Sequence, residues 1–298
     1  MDKLANIEAF VTVGKTGSFA AAAKKLNLAN SVVSKRIKDL EQFLGAQLLI
    51  RTTRKVALTE TGRSYFDYVQ KFLDDLDEVE NSLRYKTDKP IGTIKLAAPL
   101  SFGMHFLGAA IASYLAKHPE VTIKTYLSDR YVDLMEEGYD LAIRSGSLND
   151  STLIAKKLLS CRRVVCASPQ YFAKHGKPNS PEALKEHICL SYLNLAEGKS
   201  WPFMIDKRKV WQPVSGNFFS DNGDLLHQAA LSGCGITLLP TFIVGKSIDA
   251  GLLEIVLEEF EEDDFSVYAV YQYTRHLPVK IRTLITHLAE YYDFAPLS

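Results

Sequence analysis

Hydrophobic positions in the first third of the chain recur with a helical period, and those in the remainder fall in short runs. Within residues 30–44, Val33, Ile37, Leu40 and Leu44 stand at i, i+4, i+7 and i+11, one stripe of a helix that turns about 100° per residue. The opposite face shows Ser31, Ser34, Lys35 and Lys38. Just upstream, Ala20 to Ala23 are small enough for a second helix to cross closely, and Ser18 is placed to cap that first helix. Leu26 ends it and Asn27 starts a tight turn. Two short apolar runs, Leu48 to Ile50 and Val56 to Leu58, then flank Arg51, Thr52, Thr53, Arg54 and Lys55. The pattern predicts two helices across a turn, followed by a basic hairpin.

From Thr59 to Lys86 the residues Tyr65, Val69, Phe72, Leu76, Val79 and Leu83 recur at spacings of 4, 3, 4, 3 and 4, a heptad seam that Phe66 and Leu73 widen. Such a helix either packs on its own domain or pairs with a second copy. The small domain before it cannot cover so long a stripe, so pairing is expected. Pro90 and Gly92 mark a hinge. Beyond it the period changes: Ile94 to Ala98, Val121 to Leu127, Asp140 to Ile143, Val164 to Ala167, Cys189 to Tyr192, Ile236 to Leu239 and Val267 to Tyr273 read as strands. Helical stretches at His105 to Ala116, Val132 to Glu137, Leu225 to Leu231 and Val279 to Tyr292 alternate with them, which predicts an α/β sandwich with largely parallel sheets.

Charge sharpens the reading of the N-terminal segment. Residues 1–63 carry eleven Lys and Arg against five Asp and Glu, a net of +6, in a chain that is neutral overall. Positive charge gathered on a segment built like a groove reader is the footprint of a polyanion partner. The segment is therefore expected to be an α-rich winged helix-turn-helix that binds double-stranded DNA. Its second helix would lie in the major groove with Ser31, Ser34, Lys35 and Lys38 toward bases and phosphates. Ser18 and the wing residues Arg51, Thr52, Arg54 and Lys55 complete the expected DNA contacts, the wing meeting phosphate or minor groove. Asn30 either caps the second helix or contacts DNA, capping being the commoner use of Asn at such a junction.

The residues Phe10, Val13, Gly17, Ser18, Phe19, Ala22, Ala23, Leu26, Ser31, Ser34, Ile37, Leu40, Glu41, Leu44, Gly45, Leu48, Leu49, Arg51, Leu58, Thr59 and Gly62 form a long spaced pattern. In it the chain resembles the LysR-type transcriptional regulators, and the similarity runs over essentially its whole length. It departs from the family where Ser-Pro or Gln-Pro often opens the recognition helix and Arg follows its second Ser: here stand Ala29, Asn30 and Lys35. The resemblance implies a winged helix-turn-helix over 1–59, a linker and dimerisation helix over 60–89, and an effector-binding domain over 90–298. That last part would be a two-lobed domain like the type 2 periplasmic binding proteins, with one lobe of about 92–161 plus 274–298 and another of about 162–267. Effector contacts would come from three junctions: Leu100, Ser101 and Phe102; Arg144 and Ser145; Asp221 and Asn222. Each junction has a plainer use, as a helix cap or, for Arg144, as the partner of an acid such as Asp140. Donors at helix starts suit an organic anion, and Phe102, Trp201 and Phe203 are candidates for selecting a ring. A homodimer or dimer of dimers and contact with RNA polymerase are implied as well.

Composition limits the alternatives. At 298 residues and 47% hydrophobic content the chain can fill more than one core. No secretory signal or run of about 18 apolar residues is visible, so a cytoplasmic location without membrane insertion is expected. Cys161, Cys166, Cys189 and Cys234 are not spaced as C-x-x-C and are expected to be thiols, without metal or other cofactor. A thiol-responsive regulator centred on Cys234 is the alternative within the same fold. H-E-x-x-H, G-x-S-x-G, G-x-x-x-x-G-K-[ST] and strand-linked G-x-G-x-x-G motifs are all missing, which argues against an enzyme and leaves a transferase on a two-lobed scaffold as the remote one.

Overall fold

The structure is a computed structural model that describes residues 2–51, 56–85, 89–146, 153–195, 199–262, 265–274 and 277–294. The chain divides into two compact units, Met1–Asp88 and Lys89–Ser298.

In the first unit, α1 (Lys3–Thr16), α2 (Phe19–Leu26) and α3 (Asn30–Leu44) surround a core of Phe10, Val13, Ala22, Val33, Ile37 and Leu40. Local chemistry sets the helix ends. Asp2 accepts from the Ala5 amide and Ser18 Oγ from the Ala21 amide, while Gly17, Asn27 and Gly45 close the three helices in the left-handed conformation. The N-cap of α3 is Ala29, which makes no side-chain cap bond, and Asn30 is already the first helical residue. The expectation that Asn30 caps this helix is therefore wrong.

The wing pairs β1 (Leu49–Arg51) with β2 (Val56–Leu58), so that Arg51 faces Val56. Thr52, Arg54 and Lys55 lie outside the described residues. Behind the wing, Gly62 sits where a Cβ would fall 2.0 Å from the Leu48 carbonyl oxygen, an approach that only glycine permits. Helix α4 (Glu60–Tyr85) follows. Its seam splits in use: Tyr65, Phe66, Val69 and Leu73 pack on the unit's own core, with the Phe10 ring 5.8 Å from that of Tyr65 and 6.1 Å from that of Phe66. The first turns of the stripe are thus covered from within the unit. Tyr68 and Phe72 remain exposed.

The second unit holds two five-stranded sheets among the described residues. The first has the order β4 (Val121–Leu127), β3 (Gly92–Ala98), β5 (Leu141–Gly146), β14 (Ser266–Gln272), β6 (Leu153–Ser160). The second has the order β11 (Phe219–Ser220), β8 (Cys189–Tyr192), β12 (Ile236–Pro240), β7 (Arg163–Ala167), β13 (Glu254–Val256). Each sheet is parallel on one side and antiparallel on the other. Four strands of each sheet share one direction, as expected, and one is reversed, β14 in the first and β7 in the second, because the chain crosses between lobes after β6 and returns before β14. Strand β14 lies in the first sheet although its start falls within the 162–267 expected for the second lobe.

The crossings are tied together: Arg162 bonds Glu258 and Glu261, Arg163 bonds Glu262, and the Cys161 amide donates to the Phe265 carbonyl. Helices α5 (Leu100–Phe102), a π-helical turn (Gly103–Leu107), α6 (Gly108–Lys117) and α10 (Val279–Phe294) cover the first sheet. Helices α7 (Pro169–His175), α8 (Gly223–Leu231) and α9 (Thr241–Asp249) pack on the second, beside a hairpin of β9 (Ser200–Ile205) and β10 (Arg208–Pro213). Val132 to Glu137 is a turn, not the expected helix. There the Asp133 carboxylate accepts from the Met135 and Glu136 amides, a local bond that competes with helix formation.

Candidate functional site

Helix α3 sorts its residues by angle. Val33, Ile37 and Leu40 are fully buried, while Asn30, Ser31, Lys35 and Lys38 are exposed and Ser34 half-buried, on an arc of about 140° at 100° per residue. Two bonds fix how this helix stands in its unit. Arg36 Nη1 donates to the Ala5 carbonyl on α1, and Glu41 Oε1 accepts from the Leu48 and Leu49 amides at 2.8 and 3.1 Å, which joins α3 to the root of the wing. Ser18 spends its hydroxyl oxygen on capping α2. The exposed arc thus offers two amines, a hydroxyl and an amide on a rigid helix.

The second unit contains a cavity of about 380 Å³ at the carboxyl ends of β3 and β5, closed on one side by Tyr192 and Asn194 of the other lobe. Five tyrosines, Tyr126, Tyr131, Tyr139, Tyr192 and Tyr268, line it together with Arg130 and Arg144. Arg144 leans on the Tyr131 ring, its guanidinium carbon 3.9 Å from the ring centroid, and donates to the Tyr131 hydroxyl and to the Val132 carbonyl at 2.8 Å. Among the described residues no carboxylate lies within ion-pair distance of Arg144, so pairing with Asp140 is ruled out. Asp140 instead accepts from the Lys95 amide. Arg130, by contrast, is paired with Glu137, which lowers the Glu137 pKa chiefly through their hydrogen bond. Burial pushes the Tyr192 hydroxyl up to about 12, so it stays a neutral donor.

Of the residues expected to meet an effector, Arg144 and Ser145 line this cavity. Phe102 does not: it is fully buried in the core of the first lobe against Phe106, Phe242 and Tyr292. Trp201 and Phe203 are likewise core residues of the second lobe, so none of the three selects a ring. Ser101 is buried within α5 and does not cap it, since the N-cap is Pro99. Asp221 is exposed, and Asn222 is a true cap, its Oδ1 accepting from the Leu225 amide at 3.0 Å. Sequence reasoning missed the tyrosines and Asp129. The Asp129 carboxylate takes one bond from the Leu100 amide at 2.8 Å and another from Asn222 Nδ2 at 3.1 Å across the lobe boundary.

Residues 4–63 match the family model described as a bacterial regulatory helix-turn-helix protein of the lysR family, and residues 87–293 match the LysR substrate binding domain. The chain belongs to the LysR family. It is 34% identical to the HTH-type transcriptional regulator CrgA of Neisseria meningitidis serogroup B over 94% of each chain. The solved structure of CrgA, a LysR-type transcriptional regulator, superposes with a TM-score of 0.60 over 97% of this chain and 98% of that one. An HTH-type transcriptional repressor of Pseudomonas aeruginosa is 35% identical over 99% of this chain and 94% of its own. The full-length Vibrio cholerae virulence activator AphB, 26% identical, superposes with a TM-score of 0.59 over 97% and 99%. In this LysR family member the first unit is the DNA-binding part of a transcriptional regulator, and the second is its effector-binding part.

Proposed function

We propose that this chain is a cytoplasmic, dimeric regulator without catalytic activity, which reads DNA through the exposed arc of α3 and takes an aromatic carboxylate or similar planar anion in the tyrosine-lined cavity. The effector class rests on Arg144. A guanidinium with no ion-paired carboxylate among the described residues, set in a cavity among aromatic rings, is suited to a bidentate bond with a carboxylate while the rings hold its planar body. Tyr131, 75% exposed, covers Arg144 and would have to yield to such a ligand.

Ligand alters DNA binding only insofar as its affinity differs between arrangements of the protein. Dimerisation would use the exposed part of the α4 stripe around Tyr68 and Phe72, giving two readers on one two-fold axis and contact with RNA polymerase at the promoter. Absence of catalysis is part of the proposal, supported by similar proteins that are named as transcriptional regulators. No described helix is long and apolar enough to cross a membrane.

The thiol-responsive alternative is weaker. Burial pushes the Cys161, Cys166 and Cys189 thiols up to about 12, which leaves them unreactive, and only Cys234 is exposed. The test is calorimetric titration of the full chain with benzoate, salicylate and the uncharged benzamide, beside a DNA-binding assay. Saturable binding of an aromatic carboxylate, absent for benzamide, supports the proposal. Response to peroxide alone, lost in Cys234→Ser, would replace it.

A further inference from the structure

The loop after β4 and the start of α8 belong to different lobes and meet at one carboxylate. Asp129 Oδ1 accepts from the Leu100 amide, Oδ2 accepts from Asn222 Nδ2, and the Asp129 backbone carbonyl accepts from Asn194 Nδ2 at 2.7 Å. Two asparagines of the second lobe therefore hold one residue of the first. Asn222 is itself fixed, because its Oδ1 caps the Leu225 amide and its backbone amide donates to Ser220 Oγ at 3.0 Å. Its Nδ2 can only point outward as a donor. A backbone amide and a side-chain amide thus converge on a single anion from opposite lobes, and the protein supplies that anion itself. Close by, His105 Nε2 of the first lobe lies 3.1 Å from Asp224 Oδ1 of the second, so the contact has a flank.

We propose that Asp129 is a built-in clasp: its carboxylate stands where a bound anion would join the two lobes, and it holds them together before any effector arrives. The domain then needs no ligand to bring its lobes into contact. A ligand anion is directed away from the occupied Leu100 and Asn222 donors, and any opening of the domain must break the Asp129 bonds. The inference is independent of the effector class, because it concerns the protein alone.

Chemical rescue tests it on the full chain, read by hydrogen exchange at Leu100–Gly103 and Asp129–Val132 of the first lobe and at Leu193–Leu195 and Ser220–Leu225 of the second. Asp129→Ala leaves a void of carboxylate size facing two donors. Exchange is expected to rise in both lobes, roughly tenfold or more at Leu100, as for loss of a charge-assisted bond. Sodium formate should restore protection, whereas sodium chloride at equal ionic strength should not. Asp129→Asn keeps the shape but sets its amide against Asn222 Nδ2, so it should loosen both lobes without rescue by formate. Circular dichroism and thermal melting of both variants confirm that they fold. A rise confined to the first lobe would reduce Asp129 to a local loop cap and overturn the clasp. So would unchanged exchange in Asp129→Asn, or equal rescue by chloride.

Discussion

The guanidinium of Arg144 stacks on the ring of Tyr131 and hydrogen-bonds to the same residue's hydroxyl, so one exposed tyrosine covers a cavity cation that has no carboxylate partner among the described residues. The two contacts can be separated by mutation. Arg144→Gln removes the charge and should weaken an aromatic carboxylate about tenfold or more in calorimetry. Arg144→Lys should not restore it, because an ammonium lacks the planar fork. Tyr131→Phe keeps the stack and should stay within about threefold of the parent. Equal affinity in Arg144→Gln and the parent would remove the anion from this end of the cavity.

Glu41 is a structural acid inside a basic unit. Its Oε1 takes both the Leu48 and Leu49 amides, and Thr59 continues the same tie by donating its hydroxyl to the Gln47 carbonyl and accepting from the Gly62 amide. Glu41→Ala leaves two part-buried amides without their acceptor and should cost roughly 1–3 kcal/mol. Urea unfolding should show a lower midpoint at unchanged slope. Glu41→Gln keeps one acceptor oxygen and should lose less. An unchanged midpoint in Glu41→Ala would mean that the wing root is held by other contacts.

Burial, acting on a ring half-enclosed beside Ser247, holds the His227 pKa below its ordinary range, and His187 and His287 are displaced in the same direction for the same first cause. The unfolded chain takes up protons near the ordinary value of about 6.5, while the folded chain resists them. Stability is therefore full above about pH 6.5 and is lost as the pH falls through that value, until the folded imidazoles also protonate. Melting temperature should be lower at about pH 5.5 than at about pH 7.5. His227→Gln should show a shallower dependence; an identical slope would exclude His227 as a contributor.

The N-terminal unit was legible because its signals are local. Ser18 caps α2 three residues away, Asn27 turns the chain with φ 53°, and the α3 stripe is a period within one helix. Elsewhere the signal is absent or misleading. The hairpin of β9 and β10 turns through Asp206 and Lys207, both at positive φ and neither the Asn-Gly expected of such turns, and Pro202 sits inside its first strand. Strand β6 reads Leu-Ile-Ala-Lys-Lys-Leu-Leu-Ser, without alternation, because its place in the sheet comes from pairing with β14, more than a hundred residues later. The cavity tyrosines and the Asp129–Asn222 bond are products of that same long-range assembly. Phe102 shows the reverse: beside a junction in sequence, it is directed by its helix into the core.

On DNA, Lys35 and Arg54 should differ. Lys35 is exposed on the α3 arc, and Lys35→Ala is expected to narrow the affinity gap between specific and random duplexes. Arg54, expected from sequence to meet phosphate, should when changed to Ala lower affinity on both and reduce the salt slope by about 1. Fluorescence anisotropy over a KCl series separates the two; equal losses on both duplexes for both variants would contradict the division of roles.

The most direct test of the account is immunoprecipitation of the tagged protein from its native cells, with sequencing of the bound DNA. The account predicts discrete peaks that share an interrupted inverted repeat with half-sites about one helical turn apart or a multiple of it, and their loss in Lys35→Ala at unchanged protein level. Diffuse signal without a common motif, the same in the presence and absence of an aromatic carboxylate, would contradict it.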